Sequence, residues 1–130
     1  MEEDFKKVVI DASVVVAKLL GENNEGIWEE YKKGTIELVA PNLLLIEVGN
    51  ALRTGVLRKR IELNLAKELY EIFLNLPIEK YEVEWLAVLE LAIAEGLSFY
   101  DAMYVWLAIK HKWRLVSFDK QLIKVWRKRK

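Results

Sequence analysis

The sequence has no cysteine and only one histidine, His111. The absence of cysteine excludes disulfide bonds, thiolate metal sites and cysteine nucleophiles, and it fits a reducing compartment. A single histidine excludes any site that needs a pair of imidazoles. His111 stands among lysine and tryptophan, so we expect it at the surface. Chemistry in this chain must therefore depend on other side chains.

Long apolar runs and glycine-rich phosphate loops are also missing from the sequence. No run reaches the roughly 18 apolar residues that a membrane span needs. Residues 1–7 contain no apolar signal segment, so we expect a cytoplasmic protein that does not contact membranes. The six glycines form no motif of the kind that binds nucleotide phosphates.

A formal net charge of zero hides an uneven distribution of charge along the chain. Residues 110–130 hold nine Lys or Arg and one acid, a net charge of +8, so residues 1–109 carry −8. Basic clusters can attract a polyanion, or they can simply be solvated helix ends. The candidate polyanion-binding residues are Arg53, Arg58, Lys59, Arg60, Lys120, Arg127, Lys128, Arg129 and Lys130.

Apolar strand-like segments alternate with segments of helical periodicity. The chain is 53% hydrophobic, and we expect residues 1–130 to form one domain. Strands are predicted near residues 6–10, 35–40, 78–83 and 113–118. Helices are predicted near residues 12–20, 25–33, 41–55, 61–76, 84–95, 98–112 and after 119, with Pro41 in a first turn and Gly55 ending or bending its helix. This order predicts a three-layer α/β/α sandwich around a mostly parallel sheet.

Four acids occupy positions that a parallel sheet would bring to one edge. Asp11 and Asp119 each follow an apolar strand directly. Asp101 lies in the first turn of a predicted helix, and Glu47 lies in the second turn of another. Parallel strands with right-handed crossovers place all carboxyl ends at the same edge, where sites are usually built. We therefore expect these four carboxylates to converge.

Each acid also has a structural interpretation that needs no ligand. Asp11 and Asp119 can cap helices, Asp101 can complete a capping box with Ser98, and Glu47 can be a surface charge. Four like charges in one cleft repel one another, however, and burial increases the repulsion. A bound cation relieves it, and a set of oxygen ligands selects a hard cation such as Mg²⁺ or Mn²⁺.

Four short blocks resemble the conserved motifs of the PIN domain, and most of all those of small VapC-type ribonuclease toxins. They are Val9-Ile10-Asp11-Ala12-Ser13, Glu47-Val48-Gly49-Asn50, Tyr100-Asp101-Ala102-Met103-Tyr104 and Ser117-Phe118-Asp119-Lys120-Gln121-Leu122. The span from the first acid, Asp11, to the last, Asp119, is 109 of the 130 residues. Each block is short, but their order and spacing together carry the resemblance.

The resemblance implies a Rossmann-like fold and a Mg²⁺- or Mn²⁺-dependent endoribonuclease. By position, Asp11, Glu47, Asp101 and Asp119 would be the catalytic and metal-binding acids. Ser13, Asn50 and Ser117 would support them, and Tyr104 would match an aromatic residue that we assign to packing. The resemblance further implies an RNA substrate, an antitoxin partner and a homodimer, and the basic residues named above would then contact RNA.

Other functions fit parts of the same pattern. Receiver domains and aspartyl phosphatases also place an Asp after the first strand and bind Mg²⁺. A phosphatase would have a second Asp two residues later, where this chain has Ser13, and a receiver would have an acidic neighbour to Asp11. An RNA-processing nuclease without an antitoxin and a non-catalytic scaffold that binds RNA or protein remain alternatives.

Overall fold

The structure is a computed structural model that describes residues 6–22 and 25–130. Most of the segment searched for an export signal therefore lies outside the described residues. No helix in the described part is long and apolar enough to cross a membrane. The elements are β1 (Lys6–Ile10), α1 (Ala12–Leu19), α2 (Glu25–Lys32), β2 (Ile36–Pro41), α3 (Leu43–Leu57), α4 (Leu63–Leu74), β3 (Glu79–Tyr81), α5 (Trp85–Glu95), α6 (Phe99–His111), β4 (Arg114–Val116) and α7 (Lys120–Arg129).

The four described strands form one sheet in the order β3-β2-β1-β4, and every neighbouring pair is parallel. Val9 of β1 pairs with Val39 of β2 on one side and with Leu115 of β4 on the other. After β1 the chain adds β2 and β3 on one side of β1, and it then adds β4 on the other side of β1. The sheet therefore has a switch point between β1 and β4, the place where open α/β sheets usually bind ligands.

Helices cover both faces of the sheet and give the predicted three-layer architecture. Helices α1, α3 and α4 pack together, while α6 packs on β1 and β2 and contacts both α5 and α7. Val8, Val9 and Ile10 are fully buried, so β1 has apolar contacts on both of its faces. A strand of this kind reads as a continuous apolar run rather than an alternating one.

Helix α3 differs from the sequence prediction at both ends. Pro41 is the last residue of β2 rather than a first-turn residue, and α3 begins at Leu43. Asn42 occupies the cap position, but its side chain makes no capping hydrogen bond. Gly55 does not end the helix, which continues to Leu57. Packing of Leu44, Val48 and Leu52 in the core outweighs the low helix propensity of one glycine.

Substitutions of two glycines compare a position inside a helix with a left-handed position at a helix end. Gly49 lies inside α3, and a Cβ there would be in ordinary contact with the Tyr70 hydroxyl at 3.4 Å. Gly49→Ala should therefore raise the free energy of unfolding by about 0.5–1 kcal/mol. Gly96 caps α5 in the left-handed conformation with φ 65°. Gly96→Ala should lower it by about 1 kcal/mol, and urea unfolding of both variants checks the opposite signs.

Candidate active site at the carboxyl edge of the sheet

Asp11 lies at the switch point, directly after the central strand β1. Among the described residues it is the one acidic or basic residue that is buried as a whole, with 6% exposure. Its Oδ1 accepts a hydrogen bond from the backbone N–H of Val14, at 3.3 Å, and so caps α1. The expected capping role is present, but it occupies only part of the carboxylate.

Two serine hydroxyls donate to the remaining positions on Asp11. Ser13 Oγ lies 2.6 Å from Oδ1, and Ser117 Oγ lies 2.5 Å from Oδ2. The Ser13 hydroxyl also accepts from the backbone N–H of Phe118 at 3.2 Å. Ser13 and Ser117 thus connect the ends of β1 and β4 across the switch point and fix the orientation of the Asp11 carboxylate.

Asp119 lies at the same edge, in the connection from β4 to α7. Its Oδ1 accepts from the backbone N–H groups of Gln121 and Leu122 and caps α7. Its own N–H donates to Ser117 Oγ at 2.9 Å. One serine therefore links the buried Asp11 to the exposed Asp119.

Glu47 reaches the site from the second turn of α3. Its Oε1 accepts a hydrogen bond from the Tyr104 hydroxyl at 2.7 Å. Tyr104 belongs to α6 on the other face of the sheet and is 1% exposed. The tyrosine therefore does more than the expected packing, because it also holds the carboxylate of Glu47 in place.

Asp101 lies in the first turn of α6. Ser98 caps this helix by accepting from the backbone N–H of Asp101 at 3.0 Å, as the capping-box pattern predicts. The Asp101 side chain is half-buried. A carboxylate at this position also benefits from the positive end of the helix dipole.

The four acids influence one another electrostatically, and we call them the acidic cluster. Burial raises the pKa of Glu47, and the charges of Asp101 and Asp11 raise it further, against a lowering by the Tyr104 hydrogen bond. Burial also raises the pKa of Asp101, to which Asp119 and Asp11 add, while Ser98 lowers it. Each acid is thus coupled to another member of the cluster.

Comparison with known proteins identifies the family. Residues 8–128 match the PIN domain family. The chain belongs to the PIN domain family. Over 120 residues it is 34% identical to Ribonuclease VapC3 of Pyrobaculum aerophilum, a match that covers 89% of this chain and 92% of that protein. The resemblance to VapC-type PIN proteins is therefore confirmed.

Solved structures share the PIN fold at low sequence identity. PAE2754 from Pyrobaculum aerophilum superposes with a TM-score of 0.76 at 22% identity, over 95% of this chain and 87% of its own. VapC20 from Mycobacterium tuberculosis, described as a sarcin–ricin loop cleaving toxin, gives a TM-score of 0.66 at 17% identity. That match covers 90% of this chain and 93% of VapC20. Both confirm the α/β/α fold.

The donor atoms of the PIN acidic cluster fit a hard cation, since all of them are carboxylate oxygens. Burial and the neighbouring carboxylates raise the pKa of Glu47 and of Asp101, and a dication would favour their ionised forms. Within residues 6–22 and 25–130, however, no three acidic or histidine side chains are grouped as a ready metal site. A cation would have to compete with the hydrogen bonds that Asp11 and Asp119 accept.

Not every predicted site residue is hydrogen-bonded to the acids. Asn50 is exposed on α3, and no hydrogen bond joins it to the acids among the described residues. Lys120 is next to Asp119 in the first turn of α7. The other predicted polyanion contacts lie on the second half of α3, just after it, or in the last turn and C-terminal cap of α7. Those are Arg53, Arg58, Lys59, Arg60, Arg127, Lys128, Arg129 and Lys130.

Tyr104 is the contact that sequence reasoning underestimated. It lies three residues after Asp101, so both side chains project from the same side of α6. That spacing could have placed its hydroxyl near the cluster. Its bond to Glu47 nevertheless depends on how α3 and α6 meet across the sheet edge, which no local pattern encodes.

The raised pKa of Glu47 leads to a prediction about stability and pH. A carboxyl group whose pKa is raised on folding stabilises the protein below its unfolded pKa, about 4.3, and loses that contribution as pH rises through the folded pKa. Glu47→Gln should therefore unfold at a higher temperature than wild type at pH 7 in EDTA.

The gain should disappear below about pH 4, where the wild-type carboxyl group is also neutral. Thermal melts over this range measure it. Glu68→Gln is the matched control, because Glu68 is exposed on α4. An equal change in both variants at every pH would contradict the proposed origin of the effect.

Proposed function

We propose that this protein is a Mg²⁺- or Mn²⁺-dependent endoribonuclease and the toxin of a VapBC-type toxin–antitoxin pair. The observation that carries the proposal is the acidic cluster at the carboxyl edge of a PIN fold, with its acids electrostatically coupled. The likeness to a curated ribonuclease VapC supports the substrate class. No acid of the family pattern is missing, which argues against a non-catalytic scaffold.

The cluster supplies binding and orientation for phosphodiester hydrolysis. Asp11, Glu47, Asp101 and Asp119 would hold the cation. When bound, the cation would activate a water for attack on phosphorus and stabilise charge on the leaving oxygen. The hydroxyls of Ser13 and Ser117 keep the Asp11 carboxylate in one orientation. No protein nucleophile is required.

Proton transfer falls to the carboxylates, because the single histidine lies in the last turn of α6, at the opposite end of that helix from Asp101, and stacks on Trp113. A carboxylate with a raised pKa accepts a proton from water more readily than an ordinary one. Glu47 and Asp101 have this property. Cation binding should release the protons that these groups hold at low pH, so affinity for the cation should fall as pH falls.

An antitoxin has a suitable surface in the groove between α3 and α4. This groove has a volume of about 700 Å³ and an apolar lining that includes Leu52, Val56, Leu63 and Leu74. An amphipathic helix can place its apolar face in a groove of this kind. The groove favours a toxin with an antitoxin over an RNA-processing nuclease that acts alone.

Asp11 and Asp119 provide the decisive test of the acidic cluster. Asn caps a helix about as well as Asp but is a poor ligand for a hard dication. Asp11→Asn and Asp119→Asn should therefore melt at or above the wild-type temperature in EDTA and gain less from Mg²⁺. Cleavage of a labelled single-stranded RNA should fall by at least about 100-fold, the upper end for partners that only orient metal ligands.

Three results would contradict the proposal. Wild-type cleavage that persists in excess EDTA would remove the metal requirement. Near-normal cleavage by Asp11→Asn at unchanged stability would reduce Asp11 to a helix cap. Stabilisation by Mg²⁺ without any cleavage of RNA would favour the non-catalytic scaffold.

The homodimer proposal has its support on helix α5. Leu86 and Ile93 are 80% and 74% exposed, and Trp85 and Leu89 add to the same apolar surface. Exposed apolar patches of this kind usually mark interfaces. We expect Leu86→Glu with Ile93→Glu to convert a dimer into a monomer in light scattering at micromolar concentration.

The matched control for the α5 variant is Leu57→Glu. Leu57 is exposed to a similar degree but lies in the groove between α3 and α4. It should leave the dimer intact. A monomeric wild-type protein would rule out the homodimer and leave the nuclease proposal unaffected.

A further inference from the structure

A second groove lies between the ends of α6 and α7, away from the acidic cluster. It has a volume of about 680 Å³, and we call it the α6–α7 groove. Six of its lining residues are basic or aromatic, and none of the lining residues is acidic. They are Lys112, Trp113, Arg114, Trp126, Arg129 and Lys130.

We propose that the α6–α7 groove is a second binding site for single-stranded RNA, separate from the acidic cluster. The inference rests on the proposed ribonuclease function and assigns to this groove the part of the substrate that is not cleaved. Its basis is the combination of four cationic side chains with two tryptophan rings in one concave surface. Proteins that bind single strands combine a cationic groove with aromatic rings on which bases stack.

The four cations differ in how far the protein itself neutralises them. Arg114 pairs with both oxygens of Glu30 at 3.2 Å, and Arg129 pairs with Glu95. Lys112 and Lys130 form no ion pair with any residue that the structure describes. Two positive charges in the groove are thus available for phosphate groups.

Lys112 occupies a backbone position that usually favours glycine. It ends α6 in the left-handed conformation with φ 59°. In this conformation a residue with a Cβ is less stable than glycine. The chain nevertheless has lysine at this helix end, which places a cationic side chain at the groove. The end of α6 does not need the lysine side chain as a cap, because the backbone N–H of Lys112 donates to the carbonyl of Ile109 at 3.2 Å.

The two tryptophans are held in different ways. Trp113 stacks on His111, with ring centroids 4.2 Å apart and planes 15° apart. Trp126 has Lys130 Nζ 4.9 Å from its ring centroid. The pair of Trp126 and Lys130 offers a nucleotide an aromatic plane for its base and a cation for its phosphate at the same point. An acidic peptide would use the cations and leave the rings unused, so the rings favour RNA.

The position of the groove relates it to the acidic cluster. Arg114 begins β4, whereas Ser117 and Asp119 follow the end of that strand. Helix α7 runs from Asp119 at the cluster to Arg129 at the groove. Its ten residues span about 15 Å, so one strand of RNA could contact both sites along this side of the protein.

The test measures RNA binding without cleavage. A labelled short single-stranded RNA is titrated in EDTA against wild type and the double variant Lys112→Gln/Lys130→Gln, with fluorescence anisotropy as the readout. The variant should bind about tenfold more weakly, and its salt slope should be smaller in magnitude by about 1.4, for two lost phosphate contacts. This test does not measure cleavage, whereas the Asp11→Asn test does. Failure of the proposed RNA site can therefore be distinguished from failure of the proposed ribonuclease function.

The matched control is Lys18→Gln/Lys67→Gln, which removes the same charge from α1 and α4 in the other helical layer. It should bind RNA within about twofold of wild type. Equal weakening in both double variants would overturn the proposal, because general charge would then explain binding. Unchanged binding in Lys112→Gln/Lys130→Gln would also overturn it.

Trp126 tests the stacking part of the proposal. Trp126→Leu should weaken RNA binding at least about fivefold and leave the salt slope unchanged, because stacking releases no counterions. Circular dichroism and melts establish that the variant is folded, and the lysine variant carries the test if it is not. Two results together would overturn the proposal in favour of an acidic protein partner. Poly-glutamate at equal charge concentration would displace bound RNA, and Trp126→Leu would bind RNA normally.

Discussion

The parallel pairing of β1 with both β2 and β4 is the constraint on which the site depends. It places β1 inside the sheet, where helices cover its faces, and leaves Asp11 at the junction where the chain changes direction across the sheet. The hydroxyls of Ser13 and Ser117 satisfy the Asp11 carboxylate there, since a buried charge without partners would cost several kcal/mol. The same serines connect β1 to β4, so the hydrogen bonds that orient Asp11 also join the ends of these two strands.

The remaining acids show how a stable fold carries an unfavourable charge distribution. Asp119 and Asp101 stand at helix starts, where free N–H groups and the helix dipole favour a negative charge. Glu47 has no such compensation at the second turn of α3 and depends on the hydroxyl of Tyr104. Capping explains how these carboxylates persist at the edge of the sheet when no cation neutralises them.

Much of this arrangement follows from sequence because strand ends, caps and motif spacing are local signals. The apolar run before Asp11 and the Ser98 cap were both predictable in this way. The start of α3 after Pro41 and its continuation through Gly55 were not, since strand pairing with Tyr81 keeps Pro41 in β2 and core packing carries the helix past the glycine. The Tyr104–Glu47 bond joins residues 57 positions apart and required the tertiary structure.

Helix α7 shows why charge pattern alone does not assign function. An acid at its start and basic residues in its last turn are what the helix dipole favours in any protein. Lys128 and Arg129 also pair with Glu95 of α5, so part of the positive charge fastens α7 to the fold. The two tryptophans beside unpaired Lys112 and Lys130 are not explained by helix electrostatics. They are the observation on which the proposed RNA-binding groove rests.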